Sequence, residues 1–518
     1  MSDLRYPVGM QSFPEIIEEG YAYVDKTQYI KSLLKQGKFI FLSRPRRFGK
    51  SLLLSTLKSY FEGRRDLFKG LAADTMDLDW TPSPVFRFDL NAEDFSKEDG
   101  LINLLDRLLD EYEKEYGITE PTTTLAGRFA QIIRKVAEST GRKVVILVDE
   151  YDKPLQDIHE NKELFEKNLR LLKGFFGNLK SMDDYIRFAF ITGVARFAKV
   201  SIFSDLNNLK DISMSNEYAD ICGWTETELV GYFRPGIEGI AEEREEDFDT
   251  TLREMRKYYD GYLFAPKGSR LYNPYSVLNA FTDKEIYEYW FDTGTPTFLA
   301  RWVKDNGIAP WELNDVQATK KELTSIGFDS LNPIPLMYQT GYLSIDSYDR
   351  DSQLYTLHFP NREVENGFFH LLLPMYMPAT ARKGSPFDFT EFRKDLAKGN
   401  IHDFMKRLQT MLKDLPGKDH NESTYRAVTF LLTVLCGTKA IAEHDGYKGR
   451  SDLEVATNRF IYLFEFKYNK SVKEAMDQIR DRDYAGRLAI DHRKLYLIAA
   501  NYNEKKDCRG LEYEIAES

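Results

Sequence analysis

The stretch Phe41 to Leu57, FLSRPRRFGKSLLLSTL, contains Gly49-Lys50-Ser51, the tail of a phosphate-binding loop. In such a loop backbone N–H groups at a helix start cradle phosphates, the lysine reaches the β and γ phosphates, and the hydroxyl sits on magnesium. Lys50 and Ser51 take those parts here, and Arg46, Arg47 and Phe48 complete the loop around the nucleotide. The general G-x-x-x-x-G-K-[ST] pattern wants glycine where this chain has Arg44, and Pro45 holds that position extended, so the loop is expected to begin differently. A second group, VVILVDEYDKP (Val144 to Pro154), is an apolar strand that delivers Asp149 and Glu150 at its C-terminal end, where ligands of parallel sheets bind. Asp149 is placed to hold magnesium through water, and Glu150 to orient or deprotonate the attacking water. Alone, GKS reads as a basic strand-to-helix turn and DE as a helix cap. In this order, with a strand at Phe86 to Leu90 between them, they predict binding of ATP.

A third group lies near the C-terminus. Read in period two, IYLFEFKY turns Ile461, Leu463, Glu465 and Lys467 to one face and Tyr462, Phe464, Phe466 and Tyr468 to the other. Upstream, GRSDLEV puts Asp452 at the head of another short strand. Carboxylates on neighbouring strands can hold a divalent metal, with the Phe466 carbonyl completing the inner shell, while the adjacent ammonium positions the nucleophile or stabilises charge on a phosphate. An isolated E-x-K is more often a surface ion pair. The surroundings favour chemistry: Glu422 opens an apolar helix on its core-facing side, two strands and the E-x-K strand follow, a helix carrying Gln478 comes next, and Lys494 to Ala499 makes a last strand.

The elements that must position these groups fall into segments. The first two hundred residues alternate apolar runs (Phe39 to Leu42, Val85 to Leu90, Val144 to Val148, Phe188 to Ile191) with amphipathic stretches, the pattern of a parallel sheet covered by helices. The expected division is a P-loop domain over 1–212, a helical, winged-helix-like lid region over 213–365, a helical connector over 366–418, and an αβββαβ domain over 419–518. A length of 518 residues requires several cores. A net charge of −11 argues against indiscriminate nucleic-acid binding, although the segment from Met411 onward is neutral and leaves room for a local groove along Lys448, Arg450, Lys470 and Lys473. No run approaches a membrane span, the start MSDLRYPVG is no signal peptide, and Cys222, Cys436 and Cys508 lie far apart, so a cytoplasmic protein with ordinary thiols is expected.

YVDKT (Tyr23 to Thr27), RPRRFGKS, VDEYDKP, FITGVARFAKVSIFSDLNNL (Phe190 to Leu209), YDGYLF (Tyr259 to Phe264) and YNPYSVL (Tyr272 to Leu278) together resemble the AAA-ATPase-like family of bacterial proteins, which usually end in a PD-(D/E)xK nuclease-like domain. The resemblance covers nearly the whole chain, and the family's own loop reads RPRRFGKS, so Arg44 departs only from the general consensus. It implies that Thr192 watches the γ phosphate as a polar sensor and that Arg196 stabilises charge there; the bland alternatives are a strand-ending hydroxyl and a surface arginine. YVDKT either closes over the base or forms a local surface pair from Asp25 and Lys26. At the other end Glu422, Asp452, Glu465, Lys467 and Gln478 match nuclease motif positions, Ser451 replaces the leading proline, and Tyr484 lines the same site. Implied ligands are ATP, Mg2+ (Mg2+ or Mn2+ at the nuclease-like site) and nucleic acid, DNA ahead of RNA, with no membrane and room for an oligomer. Three functions are consistent: an ATPase coupled to a metal-dependent DNA nuclease, an ATP-dependent switch whose last domain only binds nucleic acid or protein, and a metabolic kinase, for which no motif speaks.

Overall fold

A computed structural model of the chain describes residues 4–119, 122–158, 161–196, 208–291, 297–324, 332–376, 389–412, 421–446, 449–481, 491–504 and 510–517. Chain contacts gather into two compact units, Met1–Thr293 with Gln317–Glu363, and Gly294–Val316 with Val364–Ser518.

The first unit is built on β1 (Phe39–Ser43), β2 (Val85–Asp89), β3 (Val144–Asp149), β4 (Ile186–Gly193) and β5 (Leu209–Asp211). They form one sheet in the order β2-β3-β4-β1-β5, and the pairings are parallel. Every residue of β3 is buried because helices cover both faces, which is why its sequence is an unbroken apolar run. On one face Phe88 meets Phe129 and Phe175 edge-on, and those two rings stack 4.6 Å apart. The four expected strands are present; β5 has three residues, too few to show a period.

The lid region does not separate from the P-loop domain as the expected boundary at 212/213 had it. Helices Glu226–Glu243, Phe248–Tyr259 and Pro274–Asp283 share an apolar core (Leu229, Phe233, Met255, Phe281) that the N-terminal residues Leu4, Tyr6, Val8 and Val24 complete. The lid's exposed stripe is thus closed by chain from the other end of the sequence. Further on, β6 (Val316–Thr319), β7 (Ser344–Asp349) and β8 (Leu354–His358) form a sheet in the order β6-β8-β7. Helices Lys320–Leu323 and Ile334–Thr340 lie between β6 and β7, so a helix pair precedes a hairpin, in keeping with the winged-helix-like expectation.

The second unit carries β9 (Lys439–Gly446), β10 (Gly449–Ala456), β11 (Phe460–Tyr468), β12 (Lys494–Asn503) and β13 (Gly510–Glu517) in the order β13-β12-β11-β10-β9. β11 and β12 run parallel, and helix Val472–Asp481 lies between them in the chain as the crossover that a parallel pair needs. The order is αβββαββ, one strand more than expected: β13 pairs antiparallel with β12. Residues 390–412 are not a connector. Helices Thr390–Lys398 and Ile401–Leu412 cover one sheet face, where Phe404 packs on Phe464 and the Tyr462 hydroxyl donates to the Leu396 carbonyl at 2.6 Å. Ile461 and Leu463 meet Ala475, Met476 and Ile479 on the opposite face. Among the described residues no helix is long and apolar enough to cross a membrane.

Candidate functional sites

β1 runs straight into the loop 44–49, and helix Lys50–Phe61 follows, buried through Leu53, Leu54, Leu57, Tyr60 and Phe61. Gly49 precedes it at φ 90°, a left-handed turn that a side chain would strain, with open space where its Cβ would stand. A cavity of about 340 Å³ opens here, within the usual range for small-molecule sites. Arg46, Arg47, Phe48, Gly49, Lys50, Ser51 and Glu150 line it on the loop side.

Lys50 is 5 % exposed and donates to the carbonyls of Arg44 and Pro45, both at 3.0 Å. Burial lowers its pKa, opposed by the charges of Glu150 and Asp149. A buried ammonium folded onto neutral carbonyls of its own loop is poised for a stronger, anionic partner. The cradle therefore fits a nucleotide phosphate. Arg47 lies over the Tyr275 ring at 4.7 Å, Arg46 donates to Gln156, and the Phe48 ring turns away against Tyr262 and Phe264.

Arg44 is accounted for by structure. Its guanidinium is buried and donates to the carbonyls of Ser43, Ser213, Tyr218 and Ala219, with Phe264 beneath it at 4.2 Å. A glycine there would remove those bonds; Arg44 fastens the loop to the segment after β5.

The β3 end places Asp149 almost fully buried, where its Oδ1 accepts from Thr192 Oγ1 at 2.9 Å and Arg87 stands 3.5 Å from its Oδ2. Thr192 thus touches the acid of the candidate magnesium site. Arg87 escaped the sequence analysis; its signal was a charge inside the half-buried strand VFRFD. Glu150 follows at φ 49°, an uncommon left-handed conformation for a side-chain-bearing residue, and it reaches the cavity. Burial raises its pKa and the Lys50 charge opposes that rise. Asp152 is engaged elsewhere, accepting from the N–H groups of Val194 and Ala195. Gly193 lets it do so, since a Cβ there would stand 2.4 Å from Asp152 Oδ1. Arg196 is not among the cavity residues: its guanidinium pairs with Asp211 and its N–H donates to Gln339. Asp25 and Lys26 form no mutual surface pair either. Asp25 accepts from Thr27 and Ala72, and Lys26 lines the cavity and pairs with Glu228.

Two further residues reach the loop. The Trp290 indole Nε1 donates to the Arg46 carbonyl at 3.3 Å, and its backbone N–H donates to buried Glu363 at 2.6 Å. Glu363 also bonds Ser276 Oγ at 2.8 Å.

In the second unit, the β10–β11 ladder reaches Leu453 opposite Phe464, and Asp452 then turns its Oδ2 onto the Phe466 N–H at 2.7 Å. Asp452 thereby meets the E-x-K segment. Glu465 is fully buried, and Lys467 Nζ lies 2.9 Å from its Oε1 and 3.1 Å from the Phe466 carbonyl. Glu422 is the first residue of helix Glu422–Leu435, a third exposed, on the side of Arg426 at 3.5 Å and of buried Tyr425 and Thr429. Arg426 also reaches Glu443 at 2.9 Å and Asp452 at 3.5 Å. Gln478 is half-buried on helix Val472–Asp481. Tyr484, Lys448, Cys508 and the Arg450 side chain lie outside the described residues. Among those described, no three Asp, Glu, His or Cys are gathered as a ready metal cage. The donors themselves, two carboxylates and a carbonyl, are the oxygen set that Mg2+ or Mn2+ prefers.

The fold and these two sites define a class: a P-loop nucleotide-binding unit in one chain with a nuclease-like sheet. The profile of the family described as Predicted AAA-ATPase matches residues 7–203, and that of the PD-(D/E)XK nuclease superfamily matches 420–512. A protein of Azotobacter chroococcum mcd 1, "Uncharacterized protein in vnfD 5'region", is 34 % identical over 532 residues, covering 100 % of both chains. The chain belongs to this family of AAA-ATPase-like proteins with a C-terminal PD-(D/E)XK nuclease-like domain.

Proposed function

We propose that the protein hydrolyses ATP at the Lys50 loop and couples nucleotide state to a metal-dependent DNA nuclease in its C-terminal sheet. The observation that carries this reading is the convergence of Lys50, Ser51 and Glu150 on one cavity, with the buried ammonium bonded, among the described residues, to carbonyls of its own loop. Lys50 exchanges those carbonyls for the β and γ phosphates, and the Gly49 turn aims the helix N–H groups at them. Ser51 and Asp149 would hold magnesium, which would supply neutralisation of phosphate charge. Thr192 orients Asp149, Glu150 orients the attacking water, and Arg46 and Arg47 add charge beside the phosphates. In the second unit Asp452 and Glu465 hold the divalent ion, Lys467 faces the nucleophile, and Gln478 orients water or a phosphate.

Support for coupling comes from Trp290 and Glu363. Along the chain Glu363 is the last residue of the first unit before Val364 opens the second, and its bonded partner Trp290 holds the phosphate loop. A second reading, a switch that binds nucleic acid without cutting it, is favoured by the engagement of Asp452 and Glu465 with Arg426 and Lys467. The test is a panel of DNA and RNA incubated with the purified protein and Mg2+ or Mn2+, with and without ATP. Metal-dependent cleavage that Asp452→Ala removes supports the nuclease; binding without cleavage in every condition supports the switch.

A further inference from the structure

Each group that the nuclease reading assigns to a divalent ion touches a cation of the protein. Glu465 Oε1 and the Phe466 carbonyl share Lys467, and Asp452 Oδ1 faces Arg426. Lys467 belongs to the E-x-K motif, but no motif accounts for Arg426. Its guanidinium reaches three carboxylates, Glu422, Glu443 and Asp452. The side chain is 12 % exposed and lies over the Trp311 ring, 5.3 Å from its centroid. Trp311 in turn packs edge-on against Phe430 of the same helix as Arg426. The burial of Arg426, with three acids in reach, separates it from a solvated surface arginine.

We propose that Arg426 is a built-in competitor for the divalent cation: it neutralises Asp452 and its neighbours, and the ion must displace it to load the site. The inference rests on the nuclease reading of Asp452 and Glu465. Charge supports it. Glu422, Glu443, Asp452 and Glu465 carry two more negative charges than Arg426 and Lys467 supply, and a divalent ion carries two positive ones. Removing the guanidinium takes positive charge away from beside Asp452, whose side chain is 14 % exposed, which strengthens its hold on any other cation. Arg426 therefore sets the divalent concentration at which the C-terminal site fills. If it served only to orient Asp452, its loss would weaken metal binding, so the sign separates the two roles.

The experiment is Mn2+ titration of the full chain, without nucleotide, by calorimetry. The proteins are wild type, Arg426→Gln, Arg426→Lys, and each of these with Glu465→Gln to subtract other binding. Expected is Mn2+ affinity about tenfold or more tighter in Arg426→Gln and less so in Arg426→Lys, whose single ammonium reaches fewer acids, with the gain abolished by Glu465→Gln. Should Arg426→Gln lose its cooperative melt, tighter binding in Arg426→Lys carries the same conclusion. Glu465-dependent binding that is unchanged or weaker in folded Arg426 variants overturns the competitor and leaves the nuclease site standing. Absence of Glu465-dependent Mn2+ binding in all proteins overturns both.

Discussion

Replacing Glu363 by glutamine tests the hydrogen-bonded chain that ends on the phosphate loop. Burial pushes the Glu363 carboxyl from its ordinary 4.5 up to about 8, against the lowering effect of the Trp290 N–H and Ser276. At neutral pH it is therefore protonated in the fold and ionised in the unfolded chain. A carboxyl raised by folding binds more protons in the native state, so stability falls as pH rises from about the unfolded value to the folded one. With those two values, the linkage relation gives a loss of about 2–3 kcal/mol between pH 5 and pH 7 from this group alone. The substituted glutamine has the shape of the protonated acid, can accept from the Trp290 N–H and donate to Ser276, and does not titrate. Urea unfolding of both proteins at the two pH values, followed by tryptophan fluorescence, isolates the effect. Glu150 and Asp152, also raised by burial, act in both proteins and cancel in the comparison. Wild type should lose about 2–3 kcal/mol more than Glu363→Gln. Losses that agree within about 0.5 kcal/mol would refute a neutral Glu363.

The other expectations concern the two sites. Lys50→Ala should weaken ATP binding by about 100-fold or more, the scale of one or two charged hydrogen bonds, with the melting temperature kept; unchanged affinity by calorimetry counts decisively against the loop. Glu150→Gln should bind ATP but turn over about 10²–10⁴ times more slowly in a phosphate-release assay, and wild-type turnover should rise with pH as Glu150 ionises. Asp452→Ala and Lys467→Ala should each abolish metal-dependent DNA cleavage while ATP hydrolysis continues; equal loss of both activities would tie these residues to the nucleotide site instead. DNA affinity should fall as salt rises, in proportion to the phosphates contacted, and a salt-independent affinity would exclude a basic groove.

The candidate groups were legible wherever they follow one another in sequence. GKS behind an apolar strand, DE at the end of another, and E-x-K in a period-two run are local patterns, and a short strand or helix start fixes where such side chains emerge. The parallel sheet was legible for the same reason, since strands buried on both faces must be continuously apolar. What escaped depended on partners distant in sequence. Arg44 read only as a departure from the general loop pattern, and its partners, the Ser213, Tyr218 and Ala219 carbonyls, came from folding. Arg87 acquired its place from the neighbouring strand, and Glu363 and Trp290 from each other. The lid merged with the P-loop domain because Leu4, Tyr6 and Val8 close its apolar core, and no periodicity in either segment encodes which stripe covers which. Local pattern was thus enough to single out the candidate residues for phosphate and metal. Which carbonyls hold Lys50 and which acids hold Arg426 came from folding alone, because a buried charge takes whichever partners the packing of remote segments delivers.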